Sequence, residues 1–192
     1  MKATPSFPTI EQLEGYRQHL AARPFTYAEQ GATQGAFPPG YDHDRNCICI
    51  GAGAEAFEAG REALRGWRHF PGGWTHIYPE RAALRAGEDI VMLFRLFGLW
   101  WYNACRIVYV IDEPRRFGFA YGTVLGHVER GEELFLVSID EAERVWYQLE
   151  AFSRPALWLT RLGYPLARHH QRRFVRDSLR QMKEAGQILA HV

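Results

Sequence analysis

Cysteine is scarce in this chain: Cys47, Cys49 and Cys105 are its only three. An odd number, with two members in one strand-like run, excludes a disulfide framework and predicts reduced thiols in a cytosolic protein. A surplus of one charge is lacking too. The formal net charge is +1, so no global field draws the chain toward nucleic acid or an acidic partner. Long apolar runs are also missing. The longest, Ile90 to Tyr102, is interrupted by Arg95 and falls short of the roughly 20 residues that span a bilayer. The opening M-K-A-T-P-S-F-P-T-I has no apolar core of the signal-peptide kind, so no leader and no membrane span are expected. The expectation is a cytoplasmic globular protein, and the 47% hydrophobic and 14% aromatic content suits a packed core.

At 192 residues the chain is long enough for one well-formed core. Residues 1–40, rich in Pro, Gly, Thr and Gln, read as an extension. Within it Ile10 to Ala22 has helical spacing, with Thr9 as a cap and Pro24 as a stop. Phe25, Tyr27 and Phe37 predict that this extension packs on the domain formed by residues 41–192. There Arg45 to Ile50 reads as a strand, and Ala54 to Gly66 as a helix. Short β runs follow at Trp74–Tyr78, Ile90–Phe97, Trp100–Ile111, Phe117–Thr123, Glu133–Ile139 and Arg144–Phe152, with turn residues between them. No helix fits between these runs, so consecutive ones must pair as antiparallel hairpins. The chain closes on a long helix, in which Leu159, Leu162, Leu166, Phe174, Leu179 and Met182 repeat at three- and four-residue spacing. Gly163 and Pro165 should kink it or split off a short first helix.

This order predicts an α+β fold, with a curved antiparallel sheet of about six to seven strands wrapped around the terminal helix. Four segments carry a further signal: T-Y-A-E-Q-G-A-T (26–33), G-A-G-A-E-A-F-E-A-G-R-E-A-L-R-G-W (51–67), G-F-A-Y-G-T-V-L-G-H-V-E-R-G-E-E-L-F (118–135) and A-F-S-R-P (151–155). On these the chain resembles an uncharacterised family of bacterial and plant proteins, a domain of unknown function. That family lies within the START and plant-allergen superfamily of helix-grip ligand-binding proteins. The resemblance implies the same helix-grip fold and supplies no activity.

Each motif has a structural reading beside the chemical one. Gly51-Ala52-Gly53-Ala54-Glu55-Ala56 satisfies a dinucleotide fingerprint, but the βα repeats that motif requires are missing, so a tight strand-to-helix turn is preferred and no cofactor is expected. Cys47 and Cys49 share a strand face and Cys105 can lie near them across the sheet. Without a second close pair, buried thiols acting as small hydrophobes are expected and no metal. From Ala156 to Val192 seven basic residues face two acids, a surplus of five, which leaves a deficit of four elsewhere. Those arginines flank an apolar stripe, so a solvated outer helix face, including His169 and His170, is expected rather than nucleic-acid binding. Ser153 and Pro155 are read as a cap and first-turn residue of the terminal helix.

The Phe117–Phe135 segment is the most specific. Alternation puts Gly118, Ala120 and Gly122 on one sheet face, and Phe117, Phe119, Tyr121 and Thr123 on the other. The small face is expected to make room for the helix or a cavity, and the aromatic face to lie under the N-terminal extension. His127, in the turn, can act as a general base with a carboxylate partner, Glu132 or Glu133. These two point to opposite faces once in a strand, so only one can aim inward. Arg106, Tyr109, Tyr121, Thr123, Tyr147 and Trp101 are candidate ligand-binding residues, and some of Trp74, Trp100, Trp146 and Trp158 are expected to line the pocket with them. The leading expectation is a monomer or homodimer binding a small apolar or amphiphilic molecule between sheet and helix. The alternatives are an enzyme of cyclase, hydrolase or lyase type using His127 with one of the glutamates, and a structural or protein-interaction module.

Overall fold

The computed structural model describes residues 2–21, 23–156 and 164–187, with side chains from 168 onward in the last stretch. Eight antiparallel strands form one curved sheet. They are β1 (Lys2–Thr4), β2 (Asp42–Ala52), β3 (Thr75–Tyr78), β4 (Asp89–Leu96), β5 (Leu99–Glu113), β6 (Arg116–Thr123), β7 (Glu129–Ile139) and β8 (Arg144–Pro155). The spatial order is β2-β8-β7-β6-β5-β4-β3, with β1 added against β5. Three α-helices accompany it among the described residues, α1 (Ile10–Gln18), α2 (Gly53–Arg65) and α3 (Tyr164–Gln187), with one 3-10 turn at Ala32–Gln34.

Local chemistry accounts for most boundaries. Thr9 caps α1 through a reciprocal box with Gln12, and the helix ends at Gln18, short of the expected Ala22. Register shifts at Cys49/Gly51 and Ile107/Tyr109 mark bulges that bend β2 and β5. Described from Tyr164, α3 is continuous to Gln187, with Pro165 in its first described turn; Trp158, Leu159, Leu162 and Gly163 lie outside the described residues. Ser153 and Pro155 belong to β8, extending it past Phe152, rather than to a helix cap.

The helix-grip fold expected from the element order is what the chain adopts. α2 and α3 lie against one face of the sheet, hereafter the inner face. The main core joins Phe57 and Leu64 of α2, and Met182 of α3, to Phe119, Phe135, Val137, Tyr147 and Leu149 of the strands. Gly60 allows α2 to seat on β7, because a Cβ there would stand 2.9 Å from Val137 Cγ1. On the outer face Leu13 and Leu20 pack with Val91, Leu93, Tyr102 and Val124.

The two faces of β6 are the reverse of the expectation. Phe117, Phe119 and Tyr121 belong to the inner core, beneath the helices. Ala120 packs outward with Leu134 and Leu136, and a Cβ at Gly122 would lie 2.0 Å from the Tyr27 hydroxyl of the N-terminal segment. The aromatic rings supply far more apolar area, so the side with two covering helices takes them. The small residues instead let residues 27–33 approach the outer face. The cysteines also differ from expectation: Cys47 is exposed and Cys49 half-buried on edge strand β2, while only Cys105 is buried, four strands away on β5.

Candidate functional site

α2 covers one part of the inner face. The other part, beneath the first half of α3, holds a cavity of about 410 Å³. Its space comes from short side chains gathered across strands: Thr123 on β6, Gly131 on β7, and Ala151 and Ser153 on β8 all line it. Gly131 pairs with Ser153, and a Cβ at Gly131 would stand 1.9 Å from the Phe152 carbonyl oxygen at a φ of +154°. That position therefore admits only glycine. Trp74, Met92, Phe94, Trp101, Leu149 and Phe174 form most of the remaining wall.

One end of the cavity is polar. The register row Asp44–Ala151–Glu133–Tyr121 crosses four strands, so the side chains of Asp44, Glu133 and Tyr121 share the inner face. Tyr121 donates its hydroxyl to Glu133 Oε2 at 2.5 Å. Glu133 is half-buried and lines the cavity, and burial pushes its carboxyl up to about 7. Four residues earlier on the same face, Glu129 accepts from Gln171 Nε2 of α3 at 2.6 Å, and burial also pushes it up to about 7. The charge of Glu129 raises Glu133 further, and that of Asp44 raises both, because like charges oppose ionisation. Arg168 of α3 grips Asp44 through two nitrogens, at 2.5 and 2.8 Å.

His127 lines the same cavity, at the turn before β7. Its Nδ1 accepts from the Glu129 amide at 2.9 Å, which leaves the ring proton on Nε2. Burial pulls its pKa down to about 4, so the ring is neutral near pH 7. Among the described residues no hydrogen bond joins His127 to Glu132 or Glu133.

Glu132 points the other way. Its buried carboxylate accepts from the Tyr27 hydroxyl at 2.7 Å, the Gly31 amide at 2.8 Å, and the Thr33 amide and hydroxyl at 3.1 and 2.5 Å. Thr33, having donated its proton, accepts from the Tyr109 hydroxyl at 2.7 Å. The T-Y-A-E-Q-G-A-T segment is thus a strap closed on Glu132, and Tyr109 belongs to the strap.

Of the residues singled out in the sequence, His127, Glu133, Tyr121, Thr123 and Trp101 come together around the cavity. The side chain of Glu132, with Tyr109 and Arg106, does not join them. Arg106 is spent on Asp89 at 2.7 Å and on the carbonyls of Leu20 and Arg23, at 2.9 and 3.1 Å, holding the N-terminal segment. Tyr147 is buried in the core, bonded to Ser178 Oγ at 2.9 Å, and is not part of the lining. Asp44, Asn103, Glu129, His170 and Gln171 line the cavity without having been singled out. Glu129 had a legible signal, the i, i+2, i+4 spacing of Glu129, Gly131 and Glu133, which shows only if the strand starts at Glu129 rather than Glu133. His170 leaves the expected solvated face for the cavity lining, beside an exposed His169. Among the described residues no three His, Cys, Asp or Glu side chains are grouped as metal ligands, and no helix is long and apolar enough to cross a membrane.

Comparison with known proteins places this site within a family. A family model described as a domain of unknown function (DUF1990) matches residues 26–181, strap and cavity included. A UPF0548 protein of Deinococcus radiodurans is 35% identical over 190 residues, which is 93% of this chain and 96% of the relative. A UPF0548 protein of Dictyostelium discoideum is 35% identical over 167 residues, or 79% of this chain and 77% of the relative. Among solved structures, the di-domain ARO/CYC StfQ from the steffimycin biosynthetic pathway superposes with a TM-score of 0.52 over 79% of this chain and 53% of that one, at 14% identity, a likeness of fold alone. On the length of the match and the identity of these relatives, the chain belongs to the family of the domain of unknown function DUF1990.

Proposed function

We propose that this protein binds a small apolar or amphiphilic molecule in the cavity between the sheet and α3, working as a monomer or homodimer. The observation that carries this reading is the 410 Å³ space itself, walled by Trp74, Trp101, Met92 and Phe174 and ending in a few convergent polar groups, the composition typical of small-molecule sites. This reading gives nucleic acid no part: several cations of α3 already have acidic partners, Arg168 with Asp44, and Arg173, Arg176 and Arg180 around Asp177. Native mass spectrometry of freshly purified protein tests the reading, because a tightly held apolar ligand survives purification. A chain that carries nothing, and gains no thermal stability across a library of lipids and aromatic compounds, would sink it.

One observation favours a second reading, catalysis of proton transfer on the bound molecule. Glu133 has a carboxyl poised near neutrality, a hydroxyl on one oxygen and cavity space beside it, the profile of a general acid or base. StfQ, an ARO/CYC of a biosynthetic pathway, shares the fold, and a fold does not choose a reaction. The check is solvent deuterium incorporation into a co-purified ligand. Incorporation that persists unchanged in Glu133→Gln would remove Glu133 from the chemistry.

A further inference from the structure

The unused polar atoms at the polar end of the cavity are mostly acceptors. Asp44 and Glu133 stand on one face of the sheet with only Ala151 between them in the register, about 10 Å apart at the usual strand spacing. Glu129 follows on the same face of β7. Asp44 has its counter-cation in Arg168. Glu133 and Glu129 receive only neutral donors, the Tyr121 hydroxyl and the Gln171 amide, and no ion pair engages either of them among the described residues. The fourth member is Asn103 on β5. It lines the cavity, is 3% exposed, and its Oδ1 has no hydrogen-bond partner, a buried acceptor that a ligand donor would satisfy.

The other groups facing this space fit the same pattern. His127 and His170 are held toward the neutral form by burial. Arg173 is drawn over the Trp74 ring, 4.4 Å from its centroid, and the field of Arg168 reaches Glu129 from α3. Trp74 Nε1 is an unpartnered donor, but it lies at the aromatic wall beside His170. An anionic head would meet Glu133 and Glu129, neither of which has an ion-pair partner among the described residues, and like charges brought together in a buried site repel strongly.

We propose, resting on the cavity-binding reading above, that the molecule bound here carries a protonated amine as its polar head. The ammonium donates to the carboxylates of Glu133 and Glu129 and to Asn103 Oδ1, while an apolar body lies against Trp74, Trp101 and Phe174. A cation in this position supplies the charge that the two glutamates otherwise obtain by holding a proton.

Three probes with one apolar body separate the possibilities: 2-naphthylethylamine, 2-naphthylethanol and 2-naphthylacetate, titrated calorimetrically at pH 8 into the full chain. The amine should bind at least about tenfold more tightly than the other two, as expected for a charge-assisted bond. That preference should shrink about tenfold in Glu133→Gln and in Asn103→Leu, and also in the wild type at pH 5, where the glutamates are protonated. If the alcohol or the carboxylate binds as tightly as the amine, the head-group inference is overturned while cavity binding stands. If none of the three binds, the binding reading falls and takes this inference with it. The wild-type pH comparison needs no variant, so a substitution that fails to fold does not remove the test.

Discussion

Glu132 and Glu133 are neighbours in the chain and serve opposite faces of the sheet. Glu132 accepts from Tyr27 and Thr33 on the outer face, and Glu133 accepts from Tyr121 beside the cavity. The period of two in a strand makes this division unavoidable once β7 is continuous through both. One carboxylate closes a strap and the other faces ligand space.

The strap predicts a stability phenotype. Glu132→Ala leaves the Tyr27 hydroxyl, the Gly31 amide and the Thr33 amide and hydroxyl without their acceptor in a buried site. A loss of about 3 kcal/mol is expected, or a fall in Tm of about 6–12 °C for a chain of this size. Thermal unfolding measures it. A change below 1 °C would mean that the strap does not hold residues 27–33 down.

Gly122→Ala should act on the same strap from the other side. The new Cβ would lie 2.0 Å from the Tyr27 hydroxyl oxygen, forcing Tyr27 off Glu132, with an overpacking cost of about 1–3 kcal/mol. Because both substitutions break one contact, the double variant should lose less than the sum of the singles. Additivity in the double-mutant cycle would separate Gly122 from the strap.

Arg106 tests which residues belong to the cavity. It ties the carbonyls of Leu20 and Arg23 to Asp89, so Arg106→Ala should cost about 2–4 kcal/mol. Ligand affinity, measured below the unfolding transition, should change less than twofold. Trp101→Ala should do the reverse, weakening an apolar ligand about tenfold or more. A strong affinity loss in Arg106→Ala with stability intact would restore it as a ligand contact.

The buried glutamates set a pH dependence of definite sign. Glu133 has a folded pKa of about 7, raised chiefly by burial from 4.5. Between those values the native state holds a proton that the unfolded chain releases, so this group's contribution falls as pH rises from 4.5 to 7 and is flat beyond. Glu129 behaves alike. His127, lowered to about 4 from 6.5 by burial, has the opposite sign: its contribution is present above 6.5 and is lost as pH falls toward 4. The two trends partly cancel in the wild type. Glu133→Gln removes one of them, so Tm of the variant minus Tm of the wild type should grow from pH 4.5 to 7 and then level off. A difference that shrinks over that window would contradict the buried, raised carboxyl.

Much of this molecule is readable along the chain. Alternating residues and turn signals locate β3 to β8 within a few positions, because a strand half-covered by helices must alternate and its hairpins must turn. The absence of helices between them dictates an antiparallel sheet, and the spacing of Phe174, Leu179 and Met182 marks the helix it grips. What alternation cannot supply is a sign. It sorts Phe119 and Tyr121 from Ala120 and Gly122, but which set lies inside depends on where α2, α3 and the 27–33 strap settle. The same limit hides the cavity. Its space is made by Thr123, Gly131, Ala151 and Ser153 on three strands, brought together only by register. Its polar end joins Asp44, Asn103, Glu129 and Gln171, which are dispersed in sequence. Periodicity along one strand is a local property and so was written in the sequence. Proximity across strands, and the choice of the buried face, belong to the tertiary structure, because both depend on packing between distant segments.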